Sequence, residues 1–205
     1  PLPQRLVGPL QLTINHQPNE LMVPMATFET PLWHSVNRGA RICRHAGSIV
    51  THCHRDHMTR SILLEADNAG QALQVKAYLE QSQHALQQAV AETSRHTQLL
   101  HHHIDIVGPL LYLRFHFDTG LASGHNMATK AADRLGQHLC QQHPFLRFVS
   151  VSANTCTDKK TSAINALLGR GKAVIAEHSM SAELCRQYLN SSPTEIVALH
   201  QKKNL

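Results

Sequence analysis

Apolar residues recur along this chain with two periods, and the points where the period changes divide it. Leu111, Leu113, Phe115 and Phe117 alternate with Tyr112, Arg114 and His116. A period of two predicts a half-buried strand. Ala128, Ala131, Leu135 and Leu139 form a helical stripe, and Val75, Leu79, Leu86 and Val90 recur at spacings of four and seven, as one helix face does. Shorter apolar runs at Ile62–Leu64, Leu99–Ile106 and Phe145–Val151 predict three further strands. In chain order, residues 62–150 read strand–helix–strand–strand–helix–strand. That is the split βαβ order of ferredoxin-like domains.

The flanks are patterned less clearly. Residues 1–60 read as loop-rich with short apolar pieces. Beyond residue 150, Val174–Glu177 predicts a short strand, and Ser181 caps a helix through Leu189. Ser192-Pro193-Thr194-Glu195 is a capping box with proline at the first helical position. The helix it opens runs through Ile196, Val197 and Leu199 to Leu205 without a stop signal. With Pro1 rather than Met at the start, this pattern predicts a chain cut from a longer protein.

Composition narrows the class. At 205 residues, 42% hydrophobic and 16% charged, the chain suits one large folded domain or two small ones. The formal charge of +5 favours acidic partners. Aromatics are only 4% and do not interleave with basic residues, which argues against nucleic acid and for acidic small molecules. Cys43, Cys53, Cys140, Cys156 and Cys185 are odd in number and form no CxxC pair, the usage of reduced thiols in a cytoplasmic compartment. No apolar run approaches the ~18 residues of a membrane span.

Two constellations carry candidate chemistry. Asn154-Thr155-Cys156-Thr157-Asp158-Lys159-Lys160 places a carboxylate directly before two lysines, in a loop that enters an apolar helical turn at Ala163-Ile164-Asn165. A lysine beside a second cation gives up its proton more easily, and a neighbouring aspartate opposes this. Such a group suits polarising a carbonyl or gripping a carboxylate; a bare Asp-Lys-Lys is more commonly a solvated loop. The second constellation, His52-Cys53-His54-Arg55-Asp56-His57, is a literal HxHxDH. It resembles the zinc motif of metallo-β-lactamase-fold hydrolases, where imidazoles and a carboxylate gather zinc to activate water. Met58-Thr59-Arg60 follows where that motif continues with glycines. Chance His pairs are also common among 17 histidines, so no metal site is assigned.

Cys156-Thr157-Asp158-Lys159-Lys160, Ala163-Ile164-Asn165 and Gly169-Arg170-Gly171-Lys172 together resemble the class I 3-hydroxy-3-methylglutaryl-CoA (HMG-CoA) reductases. Upstream, Val23-Pro24-Met25-Ala26-Thr27-Phe28-Glu29 is similar to the family's Val-Pro-Met-Ala-Thr-Thr-Glu, Ser35-Val36-Asn37-Arg38-Gly39 to its Ser-Thr-Asn-Arg-Gly, and Val7-Gly8-Pro9-Leu10 to its Ala-Gly-Pro-Leu. The resemblance implies an α+β fold, with a small ferredoxin-like NADPH-binding domain (62–150) inserted in a larger helical α/β substrate-binding domain (1–61 and 151–205, incomplete). It implies reduction of HMG-CoA to mevalonate with two NADPH, in the route to isoprenoids. Glu29 becomes the active-site acid and Lys159 the group that stabilises charge on the carbonyl oxygen. Arg60, Ser152, Asp158 and Lys160 match positions that hold the HMG portion. Ser35, Asn37 and Arg38 match a stretch near substrate and cofactor. Ser94 and Arg95 match a pair near the NADPH phosphate, and Gly120, Gly124 and Asn126 the cofactor loop.

The chain departs from the family at several points. Ala153, Thr155, Thr161 and Ser162 differ around the lysine motif. In the cofactor loop Leu121 replaces an Asp, and Ser123 and His125 replace two Met. The glycine-rich turn is eroded to Arg44-His45-Ala46-Gly47-Ser48. The family's third catalytic carboxylate and its thiolate-protonating histidine lie beyond a motif like Lys203-Asn204-Leu205, so this piece alone is expected to be inactive. The family site is built at a dimer interface, which implies a homodimer or higher oligomer for the complete protein. Two alternatives stand: a degenerate, non-catalytic homologue that binds CoA esters, and a zinc hydrolase.

Overall fold

The computed structural model describes residues 1–158 and 160–204. It is a mixed α+β protein in two compact units, one spanning Arg55–Ala173 and one combining Pro1–His54 with the chain from Val174 onward. Lys159 and Leu205 lie outside the described residues.

The Arg55–Ala173 unit holds the main core. Its strands are the C-terminal part of β3 (Ile49–Glu65), β4 (Gln98–Val107), β5 (Leu110–Asp118) and β6 (Arg147–Val151). All pair antiparallel, in the order β4-β5-β3-β6. Helices α2 (Ala69–Gln81), α3 (Gln83–Ala91) and α4 (His125–Gln142) pack on one face. Ile62 and Leu64 of β3 and the alternating Leu111, Leu113, Phe115 and Phe117 of β5 meet Val75, Leu79, Leu86, Val90, Ala128, Ala131, Leu135 and Leu139 there. Apart from Ile62 and Leu64, which stand in a short apolar run, each is a residue that periodicity assigns to a buried face. A fully buried apolar side chain contributes roughly 1.5–3 kcal/mol, so this cluster is the unit's principal source of stability. The expected single helix over Val75–Val90 is two, broken at Ser82 (φ −110°, ψ 26°). Apolar spacing does not register a break that keeps Leu79 and Leu86 on one side.

The second face of this sheet is polar and also buried, which alternation did not foretell. Ser61 stands opposite Arg114, and Thr59 opposite His116; Arg114 and His116 are each 1% exposed. The half-buried reading of β5 is therefore corrected: both its faces are covered. Arg114 lies against the 155–169 segment. His116 stacks on His101 of β4 at 4.0 Å between ring centroids, and His57 of β3 meets it edge-on at 4.6 Å. His57 Nε2 and His116 Nδ1 are buried without hydrogen-bond partners among the described residues.

The other unit has a thinner core. β1 (Gln4–Ile14) and β2 (Gln17–Ala26) form an antiparallel hairpin, and β1 pairs in parallel with the start of β3. The turn is Asn15-His16, both with positive φ (49° and 65°), the backbone of a tight two-residue hairpin loop. α1 (Pro31–Ala46) packs on β1 and buries Trp33, Ala40 and Ile42, with Val7. Trp33 Nε1 donates to Met25 O at 2.9 Å. α6 (Ala182–Leu189) sits against α1, with Tyr188 stacked on His45 at 4.8 Å. The expected caps are present. Ser181 accepts from Leu184 N–H, and Ser192 and Glu195 bond each other's backbone N–H at the start of α7 (Pro193–Asn204). The loop-rich reading of residues 1–60 is wrong. β2 is an edge strand exposed along nearly its whole length, so nothing imposes an apolar alternation. Its Pro18 and Pro24 read as breakers although an edge strand tolerates them.

The histidine face generates a pH prediction. Burial first, and then the charges of His101, His57, Arg114 and His103, push His116 from 6.5 down to about 3. His57 and His101 shift in the same direction, burial again leading. Between those values the unfolded chain binds the proton and the folded one does not. Stability is thus complete above pH ~6.5 and falls as the pH drops toward ~3, by at most about 1.4 kcal/mol per pH unit for this one site. Urea unfolding at pH 7, 6 and 5 should show that decline, with a shallower slope in His116→Gln. An equal slope in the variant would clear His116 of responsibility.

Candidate active site

Ser152, Asp158 and Lys160 lie between β6 and α5 (Ala163–Leu168), on a segment pinned at several points. Ser152, in left-handed backbone (φ 73°), donates its N–H to Ser61 O at 2.7 Å. This brings the segment alongside β3 at Arg60. Arg60 Nη1 donates to Cys156 Sγ at 3.7 Å, and its Nε is buried without a partner among the described residues. Burial pushes the Cys156 thiol up. Hydrogen bonds from the Ser61 backbone and the Ser152 side chain, with the Arg60 guanidinium, outweigh that and bring it below the ordinary thiol value. Asp158 also has positive φ (51°), and its carboxylate accepts from Arg170 Nη2 at 3.0 Å. Asn165 Nδ2 donates to Asp158 O at 3.0 Å and Lys160 O at 2.9 Å. Arg114 Nη2 donates to Asn165 Oδ1 at 2.9 Å. Lys160 is exposed.

In the other unit, Glu29 is exposed in the turn before α1, its N–H bonded to Thr27 Oγ1 at 3.0 Å. Ser35 is one turn into α1, its hydroxyl donating to Pro31 O at 3.4 Å. Asn37 Oδ1 accepts from Gly8 N–H at 2.9 Å. Arg38 lines an open hollow of about 540 Å³ together with His34, Asn37, Arg41 and Arg44. Its lining carries three guanidiniums and, among the described residues, no carboxylate, a balance of charge that suits an anion.

The third group surrounds the start of α4. Gly120 (φ 61°) donates its N–H to the Asp118 carboxylate at 2.8 Å, and Thr119 Oγ1 donates to Ala122 O at 3.0 Å. Gly124 (φ 76°) is the N-cap, and the helix has no side-chain cap and no acid in its first turn. Its free N–H groups and positive dipole end are open to an anion. Asn126 is exposed in that turn. Ser94 and Arg95 sit in the bend after α3, with Ser94 Oγ accepting from His96 N–H at 3.1 Å and Arg95 Nε donating to His96 Nε2 at 3.0 Å. Lys130 Nζ to Thr93 O (3.3 Å) and the Arg134–Glu92 ion pair (2.7 Å) tie that bend to α4. Leu121 is fully exposed.

The family profile described as hydroxymethylglutaryl-coenzyme A reductase matches residues 1–205, the whole chain. The chain belongs to that family. It is 38% identical over 205 residues to the 3-hydroxy-3-methylglutaryl-coenzyme A reductase of Pyrococcus abyssi, covering 100% of this chain and 50% of that one. To the Xenopus laevis reductase it is 37% identical over 206 residues, covering 100% and 23%. It thus spans half or less of the length of these relatives. In fold it is similar to the class II reductase of Streptococcus pneumoniae described as bound to NADPH. The TM-score there is 0.61 at 21% identity, covering 77% of this chain and 43% of that one.

The residues matched to reductase motifs thus fall into three groups. Ser152, Asp158 and Lys160 lie on one segment that runs beside Arg60 of β3, and Gly120, Gly124 and Asn126 lie at one helix start. Glu29, Ser35, Asn37 and Arg38 belong to the other compact unit. Motif matching passed over Arg41 and Arg44, which continue the Arg38 face of α1 at helical spacing, and Arg114, which reads as the solvent side of a strand. The HxHxDH segment is a stretch of β3, where successive side chains point to opposite sides. Asp56 pairs with Lys172. Among the described residues no three His, Cys, Asp or Glu side chains gather as metal ligands do.

The two loop glycines differ in what they tolerate. A Cβ on Gly124 would meet Thr119 Oγ1, Cγ2 and Cβ at 2.3, 2.5 and 2.6 Å, whereas one on Gly120 meets nothing within 4 Å. Gly120→Ala should cost only the left-handed backbone, about 1–2 kcal/mol. Gly124→Ala adds overpacking of roughly 1–3 kcal/mol. Paired thermal denaturation should therefore show a clearly larger drop in melting temperature for Gly124→Ala; equal drops would contradict the packing.

Proposed function

We propose that this chain is the N-terminal part of the catalytic region of a class I-like HMG-CoA reductase, which reduces HMG-CoA to mevalonate and CoA while two NADPH and two protons are consumed. The observation that carries it is the loop pinned beside Arg60. It sets Ser152, Asp158 and Lys160 on one segment beside Arg60, whose buried Nε has no partner among the described residues, and this supports a site for a carboxylate-bearing acyl group. Arg60 grips the carboxylate of the HMG portion, with Ser152 and Lys160 as further donors. Lys159 stabilises the oxyanion formed at the thioester carbonyl, and Glu29 donates a proton to the aldehyde oxygen. The arginine-lined hollow beside Asn37 suits the phosphate-bearing end of CoA.

The residues present also fit NADPH. Gly124 leaves no room for a side chain, and the uncapped start of α4 offers N–H groups to a pyrophosphate. Ser94 and Arg95, in the bend tied to α4, suit its extra phosphate. NADPH, when bound, supplies the hydrides; Gly120, Gly124 and Asn126 shape its cradle. Leu121, exposed where the family carries Asp, weakens the hold.

The strand order β4-β5-β3-β6 with helices on one face supports reading residues 62–150 as a ferredoxin-like insertion. Residues 1–61 and 151–205 are then pieces of the larger substrate-binding domain. Exposed Leu6, Leu21, Met22, Val23 and Phe28 in the thin-cored unit support a covering partner. A second copy, in a homodimer or higher oligomer, fits best. No helix among the described residues is long and apolar enough to cross a membrane. The odd number of cysteines, with no CxxC pair, supports a cytoplasmic setting.

The full-length protein should oxidise NADPH only when HMG-CoA is present, and Lys159→Ala should lose at least about a hundredfold in kcat. Turnover no better than that variant would favour the non-catalytic, CoA-ester-binding reading. The 205-residue chain by itself should form no mevalonate. In calorimetric titration of the full-length protein, Leu121→Asp should bind NADPH more tightly than wild type.

A further inference from the structure

We propose that Arg114, acting through Asn165, is a positioning residue for the loop that carries Asp158 and Lys160. The inference rests on the substrate role of that loop proposed above.

Arg114 stands on β5 with its guanidinium buried, and among the described residues it has no carboxylate partner: the neighbouring groups that act on its charge there are the Cys156 thiol and a second arginine, Arg170. A cation in that position needs neutral acceptors held close. It takes them from three stations of one segment. Nη1 donates to Thr155 O at 2.7 Å, and Nη2 to Asn165 Oδ1 at 2.9 Å and Gly169 O at 3.0 Å. Asn165 passes the constraint on. With its Oδ1 held by Arg114, its Nδ2 is aimed at Asp158 O and Lys160 O, the carbonyls of the two residues flanking position 159. Its own N–H is capped by Ser162 Oγ, and its carbonyl accepts from Gly169 N–H. The loop's backbone is thus referred, through one amide side chain, to a strand in the middle of the packed sheet.

The geometry requires a fork. A lysine at this position offers one compact ammonium, which cannot reach three acceptors spread over fifteen residues of chain as a planar guanidinium does. Arg114 touches neither the substrate nor the cofactor groups in this reading; its effect is on where the Asp158–Lys160 backbone stands.

The test uses the full-length protein with Arg114→Lys, Arg114→Met and Asn165→Ala, the last leaving the buried cation in place. Steady-state kinetics should show kcat/KM for HMG-CoA reduced by roughly tenfold to a hundredfold, with the KM for NADPH unchanged because the α4 loop is held separately. Arg114→Lys should not rescue. The double variant Arg114→Met/Asn165→Ala should lose no more than the worse single one, since both break one chain of contacts. Hydrogen exchange gives a readout independent of activity. Amides of residues 155–169 should exchange at least about tenfold faster in Arg114→Lys and Asn165→Ala, with those of α4 unchanged. Both KM values rising together, additive losses, or exchange quickened equally across the unit would reduce Arg114 to a general stabiliser and overturn the inference. If wild type does not turn over HMG-CoA, the proposed function fails, and the exchange pattern still decides whether the clamp exists.

Discussion

A buried guanidinium with no carboxylate beside it among the described residues is the constraint on which the Arg55–Ala173 unit turns. Removing a cation from water is costly, and Arg114 offsets the cost with three hydrogen bonds to neutral oxygens. Those oxygens come from a loop, a helix side chain and a helix terminus, so the three must hold their places together. Gly169 shows how tight the arrangement is. It has positive φ (79°), and a Cβ there would come within 2.3 Å of the Arg55 guanidinium. A side chain at that position would displace either Arg55 or the carbonyl that Arg114 needs. Asp158 and Ser152, both in left-handed backbone, are further costs that a freely moving loop would not sustain.

The two faces of the sheet divide the labour. The helix-covered face is apolar and supplies stability. The other carries Ser61, Thr59, Arg114 and His116, and it supplies orientation together with sensitivity to acid. Polar groups at this depth stay dormant only while each is matched or neutral. Arg114 is matched at Nη1 and Nη2 by carbonyl oxygens, while its Nε is buried without a partner among the described residues. Burial pushes all three imidazoles down, His116 to about 3, and neighbouring positive charges add to this at His116 and His57. The face that fixes the loop therefore works above the range in which those imidazoles charge.

What was legible in the sequence follows from which faces are apolar. Leu111–Phe117, Ala128–Leu139 and Val75–Val90 announce their elements because one side of each meets the core. Ser181 and the Ser192–Glu195 box announce helix starts because the capping chemistry is local. The β1–β2 hairpin was not legible. Its second strand is exposed, so no periodicity is imposed, and its prolines mimic loop punctuation. Arg114 was illegible as a buried residue for a related reason. Alternation says only that it points away from Phe115, and nothing local says that the chain returns forty residues later to cover it. The motif residues were legible only through resemblance. Their types and spacing name the chemistry, but the packing beneath them is encoded elsewhere.

The same reasoning bears on Glu29. A carboxyl acts as a general acid near neutral pH when its surroundings disfavour the charged form, and Glu29 is exposed. The unit that carries it buries few large side chains and leaves Leu6, Leu21, Met22, Val23 and Phe28 in water. Apolar surface of that extent on a thin-cored unit is not stable housing for an acid; it is one wall of such housing. The loop beside Arg60 is different, because its cation, thiol and backbone are already enclosed by its own unit. On the proposed function, then, the anion-gripping half of the chemistry is prebuilt in this chain, whereas the proton-donating half waits on surface from outside it. On that proposal, an enclosure for Glu29 would come from surface that covers β2 and Phe28, in a second copy or in the length that the relatives have beyond this chain, which spans half or less of them.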